Sequence, residues 1–278
     1  MTPELAERLI REEFAPLPER SIELMSSGWD YDVFRVDDEW VFRFPRRAVV
    51  VPGMKRELEV LTEFARLLPV PVPEPVFVGD GFYGARYLRG DTPGEAQRLA
   101  LVPQLARALR ALHSAEVVDA VGDRLPFDPI GRARMEVRVA RTRTAIENIS
   151  DLWRPPPAVD DVLDRALALP PPERVAVCHG DLHFRQLLAA GRELTGIVDW
   201  VDVCRSDPGV DLQLLWSFVP PDARDDFLSE YGDVDEASLV RARVLAFFLS
   251  AVIARYGCDE GRPAVLAEAI AGLDRAVV

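Results

Sequence analysis

Lysine is nearly missing from this chain: Lys55 stands alone among 33 Lys+Arg residues. Bases are also outnumbered, 33 against 46 acids, for a formal net charge of −13. A nucleic-acid backbone or an anionic membrane rewards a basic surface, so neither is expected as a partner. Cysteine is scarce too. Cys178, Cys204 and Cys258 are odd in number, widely spaced and without a C-x-x-C pair, which argues against a disulfide framework or a zinc ribbon and for a reducing compartment. Apolar runs such as residues 244–253 are interrupted or too short to span a bilayer. The opening MTPELAERLIREEF carries four acids where a signal peptide would be basic and then apolar. A cytoplasmic protein is expected, with a monomer as the default state.

What the chain does have is enough apolar residue, 49% over 278 positions, to build a core without metal or disulfide staples. Residues 3–14 read as a helix, with Leu5, Leu9, Ile10 and Phe14 near a 3.6 period. Short β-rich runs follow at 22–25, 32–36 and 40–44, then a helical period over 54–68. The segment PVPVPEP cannot continue that helix, because proline lacks the donor and clashes with the preceding turn. Strands are predicted at 76–78 and 82–88. After Arg89-Gly90 the pattern turns helical at 95–114, 131–149 and 158–168. A β-rich island spans 175–200, and helices return at 207–218, 222–230, 236–256 and 263–276. The layout is an α+β chain of two lobes, a strand-rich N-terminal lobe over 1–88 and a mainly helical lobe over 89–278, with a cleft at the link.

Chemistry concentrates in two places. Cys178-His179-Gly180-Asp181-Leu182-His183-Phe184-Arg185-Gln186 follows an apolar strand, and Ile197-Val198-Asp199-Trp200 ends a second one. Two acids at the ends of neighbouring short strands would converge on one cleft. Phosphoryl transfer needs such a pair, one carboxylate for the proton of the acceptor hydroxyl and one to hold Mg²⁺ against nucleotide phosphates.

These motifs, together with Asp207-Pro208-Gly209-Val210-Asp211-Leu212, resemble the aminoglycoside and macrolide phosphotransferases, whose fold is similar to the protein kinases. The resemblance implies a catalytic role for Asp181 and metal ligation by Gln186 and Asp199. The family's usual residue at the Gln186 position is Asn, so here the same carbonyl oxygen sits one methylene further out. In the N-terminal lobe, Trp40-Val41-Phe42-Arg43-Phe44-Pro45 resembles the strand bearing a phosphate-pairing lysine. Arg43 would take that place with Glu57 as its partner, and Lys55 is the alternative cation. Ser27 and Gly28, in the run Met25–Asp30 with Trp29, would lie in a nucleotide-covering loop. The segment from Ala85 to Tyr87 and Leu88 would read the nucleobase. The implied cofactors are ATP or GTP with Mg²⁺. The implied partner is a small-molecule hydroxyl, on an aminoglycoside or macrolide; metabolite kinases for choline, homoserine or sugar-amines share the fold. Arg43 and Gln186, both departures from the pattern, also keep open a pseudokinase-like binding protein.

Several residues read more simply. His179 and His183 lack the glutamate of a zinc protease motif and are expected to hold the Asp181 loop by hydrogen bonds. Asp207 and Asp211 fit a helix start, with Pro208 at its first position. Ser27 could reach a phosphate or satisfy a turn. Arg138, Arg141 and Arg143 read as a solvated helix face. Trp216, Phe218, Phe227, Tyr231, Phe247 and Phe248 could pack a core or accommodate a bulky acceptor. The acids between Asp222 and Glu236 could line a pocket or face solvent.

Overall fold

The structure, a computed structural model, describes residues 1–14, 21–28 and 30–278. Trp29 therefore lies outside the described residues. Helix α1 (Pro3–Glu13) begins with the Thr2 side chain accepting from the Leu5 amide, a cap reinforced by Pro3. Strands β1 (Ile22–Ser27), β2 (Tyr31–Val36) and β3 (Trp40–Pro45) form a meander. Helix α2 (Val51–Leu67) and strands β4 (Pro75–Val78) and β5 (Tyr83–Arg86) complete the first half. The sheet is antiparallel throughout, in the order β1-β2-β3-β5-β4.

Side-chain alternation decides what each face of the sheet does. Phe34 and Val36 of β2 and Trp40, Phe42 and Phe44 of β3 turn to one side and pack with Ala6 and Ile10 of α1. The intervening residues face α2: Tyr31, Val33, Tyr83 and Ala85 pack with Val50, Met54 and Leu58. Arg43 lies between Phe42 and Phe44 and opposite Val33 and Tyr83 in register, so the pleat turns it toward α2.

The second half is mainly helical: α3 (Arg98–Leu112), α4 (Ala115–Val121), α5 (Met135–Glu147) and α6 (Ala158–Leu167). Strand β6 (Ala176–Cys178), the hairpin β7 (Leu187–Ala190) and β8 (Glu193–Ile197), and β9 (Cys204–Ser206) interrupt the helices. Helices α7 (Gly209–Ser217), α8 (Arg224–Tyr231), α9 (Glu236–Asp259) and α10 (Pro263–Val277) close the chain. The link after β5 is pinned to the hairpin, since Asp91 and Ala189 exchange backbone hydrogen bonds at 3.0 and 2.8 Å. Gly90, at φ +137°, passes so close that a Cβ would meet the Ala189 backbone at 3.0 Å.

Three expectations change here. The strands that deliver Asp181 and Asp199 are not neighbours in one sheet: β6 pairs with β9 and β8 pairs with β7, so two separate ribbons bring the acids together. Arg138 is not solvated; it is 2% exposed, because helical spacing sets it beside buried Met135, Val139 and Thr142. Helix α9 continues past residue 253 to 24 residues, long and apolar enough by length and composition to cross a membrane, yet 61% of its apolar window is buried. It packs there against α5, α7 and α10. Phe218, Phe227, Tyr231 and Phe247 are core residues.

Candidate active site

Arg43 is where the two halves of the chain meet. Its guanidinium donates to Glu57 Oε1 at 2.8 Å and to Asp199 Oδ1 at 2.5 Å, and lies 4.1 Å over the Tyr31 ring. Tyr83 Oη is 3.2 Å away. Glu57 has no exposed surface, and its Oε1 also accepts the Trp200 amide at 3.2 Å. One buried carboxylate thus ties together the sheet cation and the loop carrying Asp199. Burial pushes the Glu57 carboxyl up, with Arg43 the main opposing pull, while Glu57 and Asp199 hold Arg43 firmly charged against its own burial. Lys55 is exposed and is not Glu57's partner.

Asp199 follows β8 at φ +71°, a left-handed backbone that Asp tolerates better than most residues. Burial would raise its carboxyl, but Arg43 draws it down on balance. Gln186 Nε2 is 3.5 Å from Asp199 Oδ2, and Gln186 Oε1 is buried with no hydrogen-bond partner. A carboxylate beside an unsatisfied carbonyl oxygen is a donor set that suits a hard divalent cation such as Mg²⁺. The longer side chain of Gln186 therefore does reach Asp199.

Asp181 sits on the loop after β6. Gly180 precedes it at φ +92°, and a Cβ there would lie 2.3 Å from the Asp202 carbonyl oxygen, so the turn requires glycine. The Asp181 carboxyl is pushed up to about 7, first by enclosure in the protein and then by Asp202 and Asp199. Its side chain keeps 40% of its surface in solvent, open to an incoming group.

The loop is held from beneath. Asp211 accepts the amides of His179 at 2.7 Å and Gly180 at 3.1 Å, and accepts from His113 Nε2 at 3.2 Å. His113 Nδ1 in turn accepts from Tyr231 Oη at 2.8 Å. His179 donates from Nε2 to the Val198 carbonyl at 3.0 Å, joining the loop to the strand end before Asp199. His183 Nδ1 accepts the Arg185 amide at 3.3 Å. Burial lowers both imidazoles, so the two are neutral struts rather than acids. Asp207 does the simpler job of a helix start, accepting the Gly209 amide at 2.8 Å. The network of His113, Asp211 and Tyr231 has no local sequence signal beyond an acid in the first turn of a helix.

The other sequence candidates make their hydrogen bonds elsewhere in the sheet. Ser27 Oγ donates to Asp32 at 2.6 Å and the Gly28 amide to the Tyr31 carbonyl at 2.9 Å, so both satisfy the β1–β2 turn. Ala85 is buried between β3 and β4, and Tyr87 donates its amide to the Glu39 carbonyl at 2.8 Å.

A profile described as the phosphotransferase enzyme family matches residues 21–247. No curated protein is detectably similar in sequence. Among solved structures, the GDP complex of wild-type aminoglycoside 2'-phosphotransferase-IIIa is similar over 100% of this chain and 99% of its own, at 21% identity and a TM-score of 0.71. The apoenzyme of macrolide 2'-phosphotransferase MphH from Brachybacterium faecium is similar over 98% of each chain, at 22% identity and 0.66. The ADP-bound aminoglycoside phosphotransferase APH(2'')-Ib is similar over 100% of both, at 19% identity and 0.60.

Proposed function

Because the chain belongs to the phosphotransferase enzyme family, we propose that it moves the terminal phosphate of ATP or GTP to a hydroxyl of a small molecule. Residues 1–88 form the nucleotide lobe and residues 89–278 the catalytic and acceptor lobe. The observation that carries this reading is Arg43, which touches Glu57 and Asp199 together at the junction of the halves, with Gln186 beside Asp199.

Asp181 accepts or orients the proton of the attacking hydroxyl, and its raised carboxyl is suited to that exchange near neutral pH. Arg43 aligns and neutralises the donor phosphates, while Glu57 fixes its direction. Asp199 and the free Gln186 Oε1 would hold Mg²⁺, which when bound supplies charge neutralisation at the phosphates. Asp211 keeps the Asp181 loop in register. With a loose, charge-spread transition state, most of the rate comes from positioning and fixed charges.

Neighbours solved with GDP and ADP support a purine nucleotide donor, and neighbours named for aminoglycosides and macrolides support a hydroxylated small molecule as acceptor. The test is acceptor-dependent release of nucleoside diphosphate, with ATP and GTP run separately across aminoglycosides, macrolides and amino-alcohols. Asp181→Ala should abolish turnover, by roughly a thousandfold, and leave the nucleotide Kd within about twofold. Normal turnover by that variant removes the catalytic assignment. Binding of nucleotide without transfer to any acceptor favours the pseudokinase alternative.

A further inference from the structure

The guanidinium of Arg43 is split between two carboxylates. Its Nη1 donates to Glu57 Oε1 at 2.8 Å and its Nη2 to Asp199 Oδ1 at 2.5 Å. The other oxygen of Asp199, Oδ2, lies 3.5 Å from Gln186 Nε2. Both oxygens of Asp199 thus face donors. A divalent cation on this carboxylate would stand beside the guanidinium on the same group, and two positive charges that close repel each other. Metal and Arg43 therefore compete for Asp199.

The same cluster holds the means to resolve that competition. Glu57 Oε2 and Gln186 Oε1 are buried, and neither has a hydrogen-bond partner. A buried acceptor left this way is unfavourable. If the guanidinium turns so that both its terminal nitrogens meet Glu57, the orphaned Oε2 gains a donor and the pair becomes a two-bond fork. Asp199 is then released beside Gln186 Oε1. The Tyr31 ring, 4.1 Å beneath the guanidinium, is a flat surface over which such a turn keeps its contact. Exposure sets the direction of the exchange. The Asp199 side chain keeps 40% of its surface in solvent, Arg43 11% and Glu57 none. An ion arriving from solvent meets Asp199 first, and the arginine yields toward the buried acid.

We propose that Arg43 gates the metal site: its guanidinium bridges Glu57 and Asp199 until a divalent cation takes Asp199, and it then forks onto both oxygens of Glu57. An ammonium has a single nitrogen, so the exchange requires arginine at this position. The inference rests on the phosphotransferase reading and adds a control over metal entry to the site.

The test reads metal affinity rather than activity. Mn²⁺, which takes the same oxygen ligands as Mg²⁺, is titrated into the full-length protein without nucleotide, and the free ion is followed by electron paramagnetic resonance. Arg43→Lys keeps the charge but cannot hold Glu57 and Asp199 through separate nitrogens, so plain charge repulsion predicts no change in this variant. The gate predicts that it binds Mn²⁺ about 10- to 100-fold more tightly than wild type, the scale of one charged hydrogen bond removed from the competition. Adding Asp199→Asn to Arg43→Lys should abolish that gain, which assigns the ion to Asp199. Equal Mn²⁺ affinity in wild type and Arg43→Lys, or binding to neither, overturns the gate, as does a gain that survives Asp199→Asn. Acceptor-dependent release of nucleoside diphosphate, measured in parallel on wild type, keeps the two claims apart. Turnover with equal Mn²⁺ affinities removes the gate and leaves the phosphotransferase reading standing. No Mn²⁺ binding with or without ADP, together with no turnover, removes both. If Arg43→Lys does not fold, Arg43→Gln takes its place, and wild-type Mn²⁺ affinity in that variant has the same overturning force.

Discussion

Asp181 and Asp199 are carboxylates within electrostatic reach of each other, yet their surroundings push them in opposite directions. Asp199 is drawn down on balance by Arg43, whereas Asp181 is raised to about 7. A base must be unprotonated to accept a proton, so kcat/KM should rise with pH up to a plateau above about 7, with an ascending limb absent from nucleotide binding. A flat profile between pH 5.5 and 8.5 would remove Asp181 as the titrating base. The same shift bears on stability with the opposite sign. A raised carboxyl binds its proton more tightly in the folded state, so its contribution is fully present below the unfolded value of 3.8 and is lost as pH rises through about 7. Asp181→Asn should therefore unfold at a higher temperature than wild type at pH 8, with the gap closing near pH 4. Thermal scans at the two pH values decide it.

The element that fixes the Asp181 loop is the first turn of α7. Asp211 accepts two backbone amides of the Asp181 loop and one imidazole proton, all buried. Asp211→Ala leaves those donors unsatisfied and should cost about 2–4 kcal/mol, read as a lower denaturant midpoint. It should also lower kcat with little change in the nucleotide Kd, because the loop, not the proposed phosphate site at Arg43, loses its support. The HGD and IVDW motifs were legible before the fold because they cluster residue types that little else explains. The support beneath them was not, since Asp211 and His113 are 98 positions apart and only folding joins them. Three-residue β9 and the short α4 were also invisible, being too brief to establish a period. The burial of Arg138 had a readable signal in its helical spacing from Met135 and Thr142, but the charge argued for solvent.

At the scale of the molecule, an ionic cluster joins the sheet half to the helical half. Arg43 and Asp199 are 156 positions apart, and Glu57 reaches both Arg43 and the Trp200 amide. Close packing accompanies the charges, since a Cβ on Gly53 would lie 2.6 Å from the Val201 side chain. Glu57→Ala leaves Arg43 buried with one carboxylate instead of two. A loss of about 3 kcal/mol is expected, at the low end for a broken buried pair because Asp199 remains. Urea unfolding followed by tryptophan fluorescence would measure it, and a loss below about 1 kcal/mol would mean that Asp199 alone suffices. The near absence of lysine has its own consequence at this scale. Lys55 is exposed on α2, two residues before Glu57. An amine-reactive dye has one side-chain target in the chain, and that target rides on the helix that orients Arg43. The protein thus offers a native attachment point for an optical reporter of the nucleotide binding proposed for the sheet half, with no residue exchanged to create it.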